Sequence, residues 1–579
     1  MESIPVETAP AFNWLDWGVV GLYLVFTTIL GARLAGRQAT IRDFFLGGRK
    51  LPWWAVCGST IATEVSTATF VALPAVSFAV GGNLTYLQWA IGSILARVIV
   101  ALYFVPRYYE KEIYSPYDYA GNRLGARVKT ATTALFMIGA VLGQGARLFT
   151  SGFVLSTVGG VDLITAIWLM GLFSVAWAMI GGITMVVWTD VIQFFVLMLG
   201  AVAVVWYSYA SIPASWGDMI QIASDAGKFR LFDFSTNPAV SYTFWVAILS
   251  IPFVNLASFG TDQVMTQRLF CCRNERDAAK ATIVSSVAIL IALLMLLVGV
   301  ALYVYFQFKP FTPGETALFE LDDTYLLPIF IVRALPIGVR GLVVAAIFAA
   351  AVSTLESALA ALAQTTSGPI LKRLEKSARD KKSRRSAFWR NEVVVSKALV
   401  AVWGAVLCLM ASLCVLLAKQ HENTINLVLS MSGYTLGPLL GIFLLAFLPR
   451  PPSDAGLPWA VSLAVLGVFG LLQHDWQIPF LGGATTDVTD WIVWGGCVAA
   501  LVLALKKLHG DVRKVAAVAG AVIVIVLLHA WRVDFDAEGN PRYPSFAWSY
   551  AVGPILTLGL GYVLGQPGPR PARKTAKGK

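Results

Sequence analysis

Apolar runs of about twenty residues, separated by short charged connections, recur along the whole chain. A run of that length crosses the hydrocarbon core of a bilayer as an α-helix, which satisfies its own backbone where no water is present. Hydropathy marks about 15 spans, near 14–33, 53–80, 84–106, 130–158, 161–181, 184–207, 241–265, 281–306, 338–366, 397–418, 424–447, 458–473, 489–506, 514–531 and 547–565. The pattern predicts an all-α, polytopic membrane protein in the cell (plasma or inner) membrane.

Charge in the connections sets the expected orientation. Arg33, Arg37, Arg42, Arg49 and Lys50 follow the first span, and Arg268, Arg273, Arg276 and Lys280 follow the seventh. The stretch from Lys372 to Arg390 is the most basic, and the tail carries Arg570, Arg573, Lys574, Lys577 and Lys579. The positive-inside rule puts these on the cytoplasmic side. The connection 309–324, with Glu315, Glu320, Asp322 and Asp323 against Lys309, fits outside. The alternation places the N-terminus outside and the C-terminus inside, which requires an odd number of spans.

Spans two to six and seven to eleven form two blocks of five. Five is odd, so the second block inserts upside down relative to the first, as in carriers built from inverted repeats. The expected organisation is a tail with the first helix (1–50), a first repeat (51–207), an external loop (208–240), a second, inverted repeat (241–447), further spans (448–565) and a basic cytoplasmic tail (566–579). Each repeat opens on a span with a polar interruption: Ala62 to Thr69, followed by Pro74, and Asn255 to Gln263. Such stretches are either broken helices or ordinary helices whose hydroxyls and amides pack against neighbours.

Composition narrows the class further. Of 579 residues 57% are hydrophobic and 13% charged, and the net charge of +11 lies in loops beside the membrane, which gives no reason to expect a nucleic-acid partner. Six cysteines lack metal-ligand spacing and read as free thiols. Met1 to Trp14 carries Glu2 and Glu7 without a basic start, so no cleavable signal peptide is expected. No obligate protein partner is evident; membrane lipid is the expected surrounding.

Glu64, Arg147, Asp190 and Glu356 each lie inside an apolar span. An ionisable group there costs about 2.5–3.5 kcal/mol on insertion scales and reads as functional. Ala350, Ser353 and Thr354 share one helix face, and small, hydroxyl and carboxylate groups so spaced can build an oxygen site for a hard monovalent cation. Alternatively, Ser353 and Thr354 bond back to their own helix.

Three motifs in order, Trp188-Thr189-Asp190-Val191-Ile192-Gln193, Thr261-Asp262-Gln263 leading to Gln267-Arg268, and Ala350-x-x-Ser353-Thr354, resemble the sodium/solute symporter family over roughly residues 15–450. The resemblance implies a leucine-transporter-type core of five plus five inverted helices, with one helix before it and about four after it. It implies sodium-coupled import of a small polar solute, with Na+ as the transported coupling ion. It implies a sodium site from the carbonyls of Ala62, Val65 and Ala350 and the hydroxyls of Ser353 and Thr354. Asp190, Glu356 and Ser357 match a second cation site of some members, where Glu356 departs from the hydroxyl pattern. Two carboxylates there could hold a cation or share a proton, or Glu356 could cap a hydroxyl network or pair with Arg147. Thr69, Gln88, Asn255, Ser258 and Asn426 match solute-contacting positions, although Ser258 stands where sugar carriers have a tyrosine. Arg147 matches a carboxylate-binding arginine of sialic-acid carriers, or pairs internally with Glu64 or Glu356. A sugar or polyol-like solute is the leading expectation, with a sialic acid or monocarboxylate as the alternative. A membrane enzyme or sensor is the different-class reading, and the chain shows neither His-Glu-x-x-His, Gly-x-Ser-x-Gly nor an appended signalling domain.

Overall fold

The computed structural model describes residues 12–36, 41–110, 113–380, 392–417, 424–454, 456–472, 488–508, 511–535 and 541–565. Helices dominate it. In chain order the main ones are α1 (Trp14–Ala35), α2 (Trp53–Glu64), α3 (Thr67–Phe78), α4 (Thr85–Tyr109), α5 (Ala126–Gly159), α6 (Leu163–Ala210), α7 (Trp216–Asp225), α8 (Phe244–Gly260) and α9 (Gln263–Leu269). They continue with α10 (Glu275–Phe308), α11 (Val339–Asp380), α12 (Glu392–Leu417), α13 (Thr424–Phe447), α14 (Leu457–Leu472), α15 (Val488–Lys507), α16 (Val512–His529) and α17 (Ser549–Leu564). A two-residue hairpin pairs Asp534–Phe535 with Pro541–Arg542.

Eleven stretches among the described residues are long and apolar enough to cross a membrane, and two bent pairs raise this to as many as thirteen. Two shorter apolar helices, Met431–Phe447 and Leu457–Leu472, stand where hydropathy places two more spans. α6 needs a reversal, because 48 residues of uninterrupted helix would reach about 72 Å, over twice the hydrocarbon thickness. The turn falls at Gly182, whose φ of 57° and ψ of −164° lie where a Cβ is strained.

The bent pairs open the two repeats. α2 meets α3 at 57°, and α8 meets α9 at 59°. Both bends fall inside the polar interruptions read from the sequence. The inverted repeats are α2–α3, α4, α5 and the two spans of α6, followed by α8–α9, α10, α11, α12 and α13.

Contacts divide the chain into two units: 1–114, 137–236 and 242–432, then 115–136, 237–241 and 433–579. In the first, α11 lies along α6 and α12, and α1 packs on both α6 and α11. Asp16 of α1 accepts from the amide of Gly338 and from Arg340, fixing the start of α11. α3 packs against α10 closely enough that a Cβ on Gly299 would stand 2.0 Å from the Pro74 carbonyl oxygen. In the second unit Leu463, Val493, Val518, Ile525 and Leu560 of α14 to α17 form one apolar core. All six cysteines are buried and free.

Candidate functional site

The first bend releases backbone groups. Val65 leaves the helix with φ −80° and ψ 85°, and its N–H still reaches the Ile61 carbonyl. The next amide, Ser66, turns instead to the Glu64 carbonyl at 3.1 Å. The Ala62 carbonyl thereby loses the amide that a continuous helix would give it. Ala62, Val65 and Ala350 are all buried. Thr67, just past the bend, donates to the Ile347 carbonyl of α11 at 3.4 Å, so this break lies against the helix that carries Ser353 and Thr354.

Those two hydroxyls are held in different ways. Thr354 donates to the Ala350 carbonyl at 2.9 Å, the back-bond that the sequence leaves open. Ser353 instead donates across to the Asp190 carboxylate of α6. A hydroxyl that has donated its proton keeps lone pairs for a cation, so neither bond removes the oxygen from use. Ser59, one turn before Ala62, also donates to Asp190, which brings α2, α6 and α11 onto one carboxylate.

Asp190 is fully buried and its charge is matched by Arg268 of α9, which is equally buried. Arg268 Nη2 lies 3.3 Å from Asp190 and also donates to Ser357, Nε donates to Ser59 at 2.8 Å, and Nη1 to the Val264 carbonyl at 2.7 Å. A buried ion pair persists only when further hydrogen bonds satisfy both partners, and here they do. Of the group Asp190, Glu356 and Ser357, the first and last are therefore engaged by a guanidinium. Both Glu356 oxygens are buried and make no hydrogen bond to any described residue, so of the alternatives left open for Glu356 the hydroxyl cap and the hydrogen-bonded pair with Arg147 are not seen among the described residues.

A cavity of about 130 Å³ opens beside the first bend. Glu64, Val65 and Thr69 line it from α2 and α3, Tyr86, Trp89, Ser93 and Arg97 from α4, and Asn255 from α8. Inside it Arg97 Nη2 bridges both Glu64 oxygens at 2.5 and 2.6 Å. Asn255 accepts from Ser93 at 2.9 Å and donates to the Ile251 carbonyl at 3.0 Å.

Thr69 and Asn255, two of the expected solute contacts, line this cavity. Gln88, Ser258 and Arg147 do not line this cavity. Gln88 is turned away by the short 3-10 turn Thr85–Gln88: its amide donates to the Thr85 and Tyr242 carbonyls and accepts from Asp233, which anchors a loop. Arg147 lies in the field of Asp262, while Glu64 is taken by Arg97, so the pairing of Arg147 with Glu64 is corrected. Asn426 lies in α13 outside the residues whose side chains are described. The sequence gives Arg268 a place in a motif and among the basic residues of a connection, whereas the structure buries it against Asp190; Arg97 is not among the candidate residues read from the sequence. Arg97 carries the same signal as Arg147, a lone guanidinium deep in an apolar span.

The model of the sodium:solute symporter family matches residues 44–454. This chain belongs to that family. Sodium is the coupling ion of the symporter, and relatives and family alike are transporters rather than enzymes. The human (Homo sapiens) sodium/iodide cotransporter is 29% identical over 482 residues, 81% of this chain and 72% of the relative. The sodium/sialic acid symporter SiaT of Proteus mirabilis (strain HI4320) is 26% identical over 86% of this chain and 98% of its own. The solved structure of a Na+-coupled sialic acid symporter, substrate-bound and outward-open, superposes with a TM-score of 0.67 at 23% identity, covering 90% of this chain and 98% of that one. That likeness shows the fold of the symporter, the inverted five-plus-five core.

Proposed function

We propose that this symporter imports a small polar organic solute without net charge, a sugar or polyol in the first instance, by sodium-driven alternating access. The observation that carries the reading is the cavity beside the first bend, whose lining acid and base, Glu64 and Arg97, neutralise each other. Asn255, Ser93 and Thr69 offer amide and hydroxyl groups there, and Tyr86 and Trp89 offer apolar faces. Sodium is proposed to bind where Ala62, Val65 and Ala350 present carbonyls and Ser353 and Thr354 hydroxyls, one turn from the solute. One sodium entering at about 100 mV releases roughly 2.3 kcal/mol, and a tenfold gradient adds roughly 1.4. Together these sustain an accumulation of several hundredfold. The charge of the basic loops favours a cytoplasmic C-terminus.

A carboxylate solute is the second reading, favoured by the guanidinium in the cavity and by relatives named for sialic acid and for monocarboxylates, such as the bovine (Bos taurus) sodium-coupled monocarboxylate transporter 2. Reconstituted symporter decides between them. Sodium-dependent, saturable uptake of myo-inositol or glucose is expected, with counterflow. Sodium-driven lactate uptake without any uptake of neutral solutes overturns the neutral reading.

A further inference from the structure

We propose that Glu64 is a built-in substitute for an anionic solute: it occupies the guanidinium of Arg97 inside the cavity, and so makes a latent carboxylate site unavailable. The inference rests on the neutral-solute reading and names the residue that enforces it.

Arg97 is fixed by more than Glu64. Nη1 donates to Ser285 of α10 at 3.1 Å, and the guanidinium lies 4.2 Å from the ring centre of Phe259 of α8. Only Nη2 engages Glu64, bridging both oxygens. Nε is buried and makes no hydrogen bond to any described residue. The side-on edge of the guanidinium, Nε with Nη2, is the edge that grips a carboxylate with two parallel bonds. Here Nη2 is filled by Glu64, and Nε is left buried without a hydrogen bond to any described residue.

Glu64 is also the more accessible partner, about a third exposed against 2% for Arg97. Among the described residues it is the only acid lining the cavity. Neutralising it leaves a fixed, buried positive charge with no counter-charge among the lining residues, and a buried guanidinium in that state demands an anion. The cavity volume of about 130 Å³ suits a carboxylate of a few carbons. Glutamine at position 64 keeps the size and one acceptor oxygen, removes the charge and puts an amide donor in place of the second oxygen.

The test uses the full chain in liposomes with an inward sodium gradient, and lactate, acetate and myo-inositol as probes. Glu64→Gln is expected to take up lactate at least tenfold faster than the parent. Lactate should also raise the melting temperature of detergent-solubilised Glu64→Gln and leave the parent unmoved. The double variant Glu64→Gln/Arg97→Gln should lose both gains. The proposal is overturned by a Glu64→Gln protein that retains stabilisation by sodium yet neither binds nor carries lactate beyond the parent. A double variant that gains as much as the single one overturns it too. If Glu64→Gln is not monodisperse, Glu64→Ser takes its place with the same expectation, and collapse of both shows that the acid serves folding instead. Parent symporter that carries lactate defeats this proposal, and one that carries lactate and no neutral solute defeats the neutral reading as well. A parent that carries neither solute, with lactate gained in Glu64→Gln, defeats the neutral reading alone.

Discussion

The two bends are related by the inverted repeat and similar in angle, yet they are finished differently. At the second bend the chain closes on itself. The amides of Thr261 and Asp262 both reach the Ala257 carbonyl at 2.9 Å, the Thr261 hydroxyl joins them at 2.8 Å, and Asp262 caps α9 through the Val264 amide. At the first bend Ser66 sits at the cap position of α3 and its side chain makes no cap bond, while the Ala62 carbonyl has lost its amide. The second bend is closed by a side-chain cap and a doubly bonded carbonyl, whereas the first, where sodium is proposed to bind, has no side-chain cap. The duplicated bends thus differ in their local capping chemistry, and the proposal puts the ion at the uncapped one.

That contrast can be broken at several points. The largest effect is expected on the structural side, from Arg268→Gln, which strands Asp190 as a buried charge and should cost about 3–5 kcal/mol. It would show as a large fall in melting temperature or in monodisperse protein, with partial recovery when Asp190→Asn is added. Next comes the ion side. Ser353→Ala with Thr354→Ala should raise the sodium concentration for half-maximal uptake by about tenfold or more, equivalent to roughly 1.4 kcal/mol. Asp262→Ala should move that value less than about twofold; an equal shift in both proteins would erase the distinction between the bends. The same Asp262→Ala should lose about 1 kcal/mol of stability with its cap, read by thermal denaturation. The smallest effect belongs to Ser66→Ala, expected within about 0.5 kcal/mol of the parent because no cap bond is removed. A loss as large as that of Asp262→Ala would refute the asymmetry.

The architecture was legible because lipid leaves so few choices. Twenty apolar residues must be a helix, and the polar stretches at 62–69 and 255–263 could only be broken or packed. The facing of side chains was not legible. Glu64 and Arg97 are 33 positions apart and Asp190 and Arg268 are 78 apart, so their pairing depends on helix rotation that hydropathy does not encode. Gln88 had the right chemistry for a solute and the wrong direction, set by one 3-10 turn. Arg97 met the same criterion as Arg147 and was overlooked, although it and not Arg147 lines the cavity.

Arg97 also has a mechanical meaning. From α4 it touches Glu64 on α2, Phe259 on α8 and Ser285 on α10, two helices from each repeat. Any motion that parted these helices would tear open an ion pair and an aromatic contact together, which packed interiors resist until they switch as a whole. We therefore expect the four to travel as one stiff body, and the strokes of the cycle to occur along its borders. Spin labels on α4 and α8 should keep a constant separation as sodium and solute are added; a change of several ångströms between them would show that the brace yields.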